Sequence, residues 1–101
     1  MYKLELLPIA LMDIKDIVYY ISNTLKNKTA AKRRSKKIIA SFDIITVFPY
    51  GSSRLYMDEL KNEYRCFRVN NYLIIYCINE SDKIITVVRI CYYGRDIDKL
   101  L

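Results

Sequence analysis

Two groups of cations carry the chemistry that this chain could perform. The first is crowded: Lys26, Lys28, Lys32, Arg33, Arg34, Lys36 and Lys37 fall in a stretch that holds no Asp or Glu between Ile17 and Phe42. On a helix, like charges at i, i+4 such as Lys32/Lys36 and Arg33/Lys37 repel by about a few tenths of a kcal/mol. The run is therefore either a solvated helix face or a surface shaped for an anionic partner. The second group is all arginine: Arg65, Arg68, Arg89 and Arg95. A guanidinium fork suits bidentate contact with phosphate or carboxylate. Tyr92 and Tyr93 directly precede Gly94-Arg95, where a strand end presents groups to a cleft.

What is missing narrows the chemistry further. There is no histidine, so the commonest general base and metal ligand is absent. Arginine is too strong a base to shuttle protons, which leaves Glu63, Lys61, Tyr92 or Tyr93 for any proton transfer. Cys66, Cys77 and Cys91 are odd in number, lie in apolar runs and lack CxxC spacing. That pattern predicts buried free thiols in a reducing compartment rather than disulfides or zinc. No metal or cofactor is expected.

The elements that must position these residues follow from hydrophobic periodicity. With 101 residues, 52% of them hydrophobic, and only two Gly and two Pro, the chain reads as a single compact domain with a real core. Tyr2, Leu4 and Leu6 alternate with Lys3 and Glu5 as in a short strand. From Ala10, the stripe Leu11, Ile14, Val18, Ile21 and Leu25 predicts an amphipathic helix. A second helix, capped by Thr29, carries Ala31, Ser35, Ile38, Phe42 and Ile45, broadened by Ile39 and ending near Phe48-Pro49. Residues 49–53 read as a loop, and 64–69, 72–78 and 84–92 as three antiparallel strands joined by hairpins. A helical turn is expected after Gly94. The result is an α+β fold, β-α-α-β-β-β: an N-terminal strand, a helical hairpin and a three-stranded meander.

Within this frame Arg65, Phe67 and Val69 share one face of their strand, and Tyr64, Cys66 and Arg68 the other. Only one of Arg65 and Arg68 can easily join Arg89. Arg89, inside the apolar run ITVVRICYY, reads either as an internal ion pair or as a functional cation. The net charge of +6 favours an acidic partner or a polyanion. No apolar run is long enough to span a bilayer, and the start MYKLELLPIAL lacks a signal-peptide pattern. A cytoplasmic location with no membrane partner is expected.

The start MYKLELLPIALMDIKDIVYYI, the junction VFPYG and the run EYRCFRVNNYLIIYCINESDKIITVVRICYYGRDIDKLL resemble the RelE/ParE superfamily of type II toxin-antitoxin toxins, of the plasmid-stabilisation type. The resemblance spans nearly the whole chain. It implies a toxin neutralised by a cognate acidic antitoxin, with DNA gyrase (ParE-like) or mRNA on the ribosome (RelE-like) as target. For RNA cleavage, Arg65, Arg89 and Arg95 would stabilise phosphorane charge, with Tyr93 near the C-terminus as a proton carrier. For target or antitoxin binding, Lys32, Arg33, Lys36, Lys37, Arg68 and Tyr92 are the candidates. RelE-like nucleases often carry a basic residue after the tyrosine that begins the middle strand; here Leu73 follows Tyr72. With the missing histidine and the RDIDKLL ending, this places gyrase inhibition ahead of mRNA cleavage. A non-toxic relative that keeps antitoxin binding is the third reading.

Overall fold

The computed structural model describes residues 1–55 and 63–94. Lys61, Arg95 and the turn expected after Gly94 lie outside them. The chain runs through β1 (Lys3–Leu6), α1 (Pro8–Tyr19), a π-helical turn (Tyr20–Thr24), α2 (Lys28–Val47), β2 (Ser53–Leu55), β3 (Tyr64–Val69), β4 (Tyr72–Asn79) and β5 (Ile84–Tyr92). The strands form one sheet in the order β1-β5-β4-β3-β2. The expected helical hairpin and meander are present, and two features extend them. Residues 53–55, of which Ser53 is expected to close the loop and 54–55 belong to no expected element, form an edge strand antiparallel to β3; three residues are too few for a period-two signal. β1 lies parallel to β5, with Lys3 opposite Ile84 and Leu6 opposite Val87.

The helices cover one face of the sheet. Ala10, Ile38 and Ile45 pack with Val69, Ile74, Tyr76, Ile85, Val87 and Ile90, with Ile14, Ile17, Phe42 and Phe67 at the margin. Alternation holds along β3, since Cys66 and Tyr64 join Leu73, Ile75 and Cys91 in a smaller cluster on the other face. The α1 stripe is rotated from the expected one. Ala10 is fully buried while Leu11 is 44% exposed, because Pro8 opens the helix and small Ala10 lets α1 approach the sheet closely. The π turn, closed by Leu25 N–H donating to the Tyr20 carbonyl, adds residues to the turn and swings Leu25 off the stripe, to 56% exposed. Lys26 then adopts φ 52° and ends the helical run.

The cap of α2 is Asn27, not Thr29: its Oδ1 accepts from Ala30 N–H at 2.9 Å, satisfying a donor of the first turn. Ile39 does not broaden the buried stripe; it points outward and is 55% exposed, because the contact line runs through Ala31, Ile38, Ser41 and Ile45. The β3–β4 turn is the expected two-residue one, with Asn70 at φ 53°, a conformation its short polar side chain tolerates.

Two interactions lock the layers together. Tyr76, fully buried in β4, donates its hydroxyl proton to the Pro49 carbonyl at 2.6 Å and accepts from Ser52 Oγ, pinning the segment between α2 and β2. Arg89 donates from Nε and Nη2 to the two carboxylate oxygens of Asp13 at 2.8 and 2.9 Å, and Ile90 N–H adds a third bond to Asp13 at 2.9 Å. Arg89 stands just past a β-bulge: Tyr76 faces Val87 and Ile75 faces Arg89, leaving Val88 as the extra residue. The side chains of Arg89 and Asp13 are only 16% and 11% exposed, so either one left alone would be a poorly solvated charge. Asp13→Ala and Arg89→Ala are each expected to cost about 3 kcal/mol in urea unfolding. Loss in the double variant should fall well short of the sum.

Candidate functional site

The chain's cations sort into those already engaged and those that face outward. Arg65 is engaged. Its Nη1 donates to the Ser52 carbonyl at 2.9 Å and the Tyr50 carbonyl at 3.3 Å, and its guanidinium lies 4.9 Å from the centre of the Tyr50 ring. Arg54 stands directly opposite it across β2 and β3. One oxygen of Glu63 accepts from both, at 3.0 and 3.1 Å, which offsets their repulsion. Arg89 is held by Asp13 from α1, whose carboxylate further raises its pKa. The residues read as candidates for RNA cleavage are thus not gathered in one place: Arg65 binds the segment before β2, Arg89 binds α1, and Tyr93 stacks with Arg68.

That last pair sits at the far end of the sheet. The Arg68 guanidinium lies 4.1 Å from the Tyr93 ring centre, and its Nε donates to the Asn70 carbonyl at 2.9 Å. Tyr93 N–H donates to the Asn71 carbonyl, which ties the end of β5 to the β3–β4 turn. Both side chains remain exposed. Lys32, Arg33, Lys36 and Lys37 are exposed along the first half of α2 and form no ion pair among the described residues.

Tyr92, by contrast, lines an open groove of about 710 Å³. The groove is bounded by α1, the π turn, the start of α2 and the ends of β4 and β5, and its apolar wall includes Ile17, Tyr20, Ile21 and Leu25. Tyr92 meets Tyr72 edge-on, at 5.8 Å and 83°. The Arg34 guanidinium lies 5.7 Å from the Tyr72 ring centre. The Nε and Nη1 atoms of Arg34 are buried and have no hydrogen-bond partner. Charge counting does not single out Arg34 from the surrounding lysines. Its place in the stripe does: it stands three residues after buried Ala31 and four before buried Ile38, so a cation there must point inward.

A profile of the family described as "ParE toxin of type II toxin-antitoxin system, parDE" matches residues 4–97. The chain belongs to this family. Its fold is similar to that of a chromosomal ParDE system from P. aeruginosa, with a TM-score of 0.74 and 18% identity over 91% of this chain and 96% of that one. A RelE-RelB complex from Pyrococcus horikoshii gives 0.61 and 15% identity, covering 94% of this chain and 98% of that chain. The RelBE2 complex from Mycobacterium tuberculosis gives 0.60 and 13%, covering 90% and 96%. No protein of curated function matches significantly in sequence.

In this ParE-family chain Glu63, one of the groups suited to proton transfer, is paired with Arg54 and Arg65. The opposite end of the sheet holds a carboxylate cluster. Glu80 accepts from the hydroxyls of Tyr2 at 2.6 Å and Tyr50 at 2.7 Å, and from Lys83 Nζ. Lys83, then Tyr2 and Tyr50, hold Glu80 down to about 2, and the bond to Glu80 pushes Tyr50 up to about 12. Burial raises the Cys66 and Cys77 thiols, which makes them weak nucleophiles, and none of the three cysteines forms a disulfide. Among the described residues no His, Cys, Asp or Glu side chains gather in a metal-holding group, and no described helix is long and apolar enough to cross a membrane.

The Glu80 cluster has a defined pH signature. Its carboxylate pKa is depressed, so its stabilisation is complete above the ordinary value of 4.5 and disappears as pH falls through about 2. Tyr50 is raised, so its share is complete below 10.0 and disappears as pH rises through about 12. In thermal unfolding, Glu80→Gln should lower Tm by a constant amount at neutral pH, and the gap to the parent should close in the acid window.

Proposed function

We propose that this chain is a cytoplasmic toxin that arrests growth by binding DNA gyrase, and that a cognate acidic antitoxin holds it inactive. The ParE family match over residues 4–97 supports the toxin reading. The observation that carries the choice of target is the state of the reactive groups. Arg65 and Arg89 are spent on internal contacts, and Glu63, a candidate for proton transfer, is paired with Arg54 and Arg65. A gyrase poison needs only a binding surface, and the exposed Lys32, Arg33, Lys36 and Lys37 supply a cationic one.

The stacked Arg68–Tyr93 pair favours a second reading, ribosome-dependent mRNA cleavage, because exposed aromatic and guanidinium planes suit an unstacked base. The two readings separate in vitro. Gyrase inhibition predicts loss of supercoiling and trapped cleaved DNA, with the required concentration rising about tenfold or more when Lys32, Arg33, Lys36 and Lys37 are all changed to Gln. Supercoiling untouched by the parent protein, with codon-positioned cuts on translating ribosomes that vanish in Arg68→Ala, would establish the nuclease instead. Normal growth on induction without the antitoxin would leave only the non-toxic relative.

A further inference from the structure

The first strand leaves one edge of the sheet open. β1 pairs on one side only, with β5. Lys3 N–H donates to the Lys83 carbonyl at 2.8 Å and Leu7 N–H to the Val87 carbonyl at 3.0 Å, so the backbone groups of residues 3, 5 and 7 turn toward β5. Those of Leu4 and Leu6 turn outward. No described residue bonds to that outer row. An unpaired strand edge is a template for another strand, which proteins often discourage by placing charge on it. Here the charges are of both signs: Lys3 and Glu5 are exposed, share one face of the strand, and form no ion pair among the described residues.

We infer that two copies of this chain associate through β1, antiparallel, with Leu4 of one opposite Leu4 of the other. The residues choose the register. Strands related by a two-fold axis normal to the sheet can bond only outward row to outward row, so the pair must be centred on a residue of β1 itself. Centring it on Lys3 sets two ammonium groups against each other, and centring it on Glu5 sets two carboxylates; like charges directly opposite are destabilising. Centring it on Leu4 puts Lys3 against the other copy's Glu5 on both sides of the axis. The same register sets Tyr2 against Leu6, and Met1 against Leu7, both of which are exposed apolar side chains. Opposite signs two residues apart are complementary to themselves when reversed, which selects a second copy as the occupant. The product is one continuous sheet with the helices of both copies on the same side. Only a few residues of each copy meet, so the dimer belongs with the small, weak interfaces.

The test uses the full chain with no tag before Met1, in sedimentation equilibrium over a concentration series reaching on the order of 1 mM. A monomer–dimer equilibrium is expected, and the Leu4 and Leu6 amides should exchange with solvent more slowly as concentration rises. Lys3→Glu and Glu5→Lys each set like charges opposite. Each should weaken the dimer about tenfold and leave the Tm of the dilute protein unchanged, since both side chains are exposed. Mixed together, the two single variants should pair with each other at the parent affinity, and the double variant Lys3→Glu/Glu5→Lys should recover it alone. A chain that stays monomeric at the highest concentration overturns the inference. So does a dimer that ignores both charges, shows no recovery in the mixture, or forms without protecting Leu4 and Leu6. Should a single variant fail to fold, the parent amides and the double variant still decide.

Discussion

One carboxylate holds the two layers of this protein in register. Asp13 takes three donors, two from Arg89 and one from the backbone of Ile90, so α1 is fastened to β5 at a fixed height and angle. β5 lies between β1 and β4, which makes it the strand through which the N-terminal segment and the meander communicate. The bulge at Val88 disturbs the ladder just where Arg89 must leave it. The position of α1, and with it the π turn and one wall of the groove, follows from that anchorage. An arginine in an otherwise apolar strand is tolerable because two of its N–H groups meet both oxygens of one carboxylate.

The arginines of the chain are therefore not equivalent despite their shared chemistry. Arg65 and Arg89 are held by carbonyls and carboxylates and contribute to the architecture, although Nε of Arg65 is buried without a partner. Arg68 retains free surface on an aromatic platform. Arg34 differs in degree, with both Nε and Nη1 removed from water and unsatisfied. Such a group weakens the isolated fold slightly.

Much of this arrangement was legible in the sequence because it rests on periodicity. The strands at 64–69 and 84–92 announce themselves through β-branched and aromatic residues, and the helical hairpin through three-and-four spacing. The failures have physical causes. Leu11 and Ile39 are as apolar as their buried neighbours, and only the close approach allowed by Ala10 and Ala31 decides which face turns inward. Thr29 is a sound cap by type, but Asn27 stands at the distance from Ala30 that a first-turn donor requires. β2 and the parallel pairing of β1 depend on partners far away in sequence, which no local pattern encodes. At the site, the cationic run was visible, whereas the inward turn of Arg34 required the buried stripe to be placed first. The pairing of Arg89 with Asp13 joins residues 76 positions apart.

The parallel union of β1 with β5 also constrains when this protein comes into being. Lys3 to Leu6 find their partners only at Ile84 to Val87, so during synthesis the first strand waits until β5 has been made. Contacts of such long sequence separation are slow to form, since the intervening loop must close before they are rewarded. Until then the first strand lacks its ladder, Asp13 lacks Arg89 and the groove lacks Tyr92. The groove and the Asp13–Arg89 anchorage are thus not assembled until β5 has been made, and the exposed helical hairpin must wait for it.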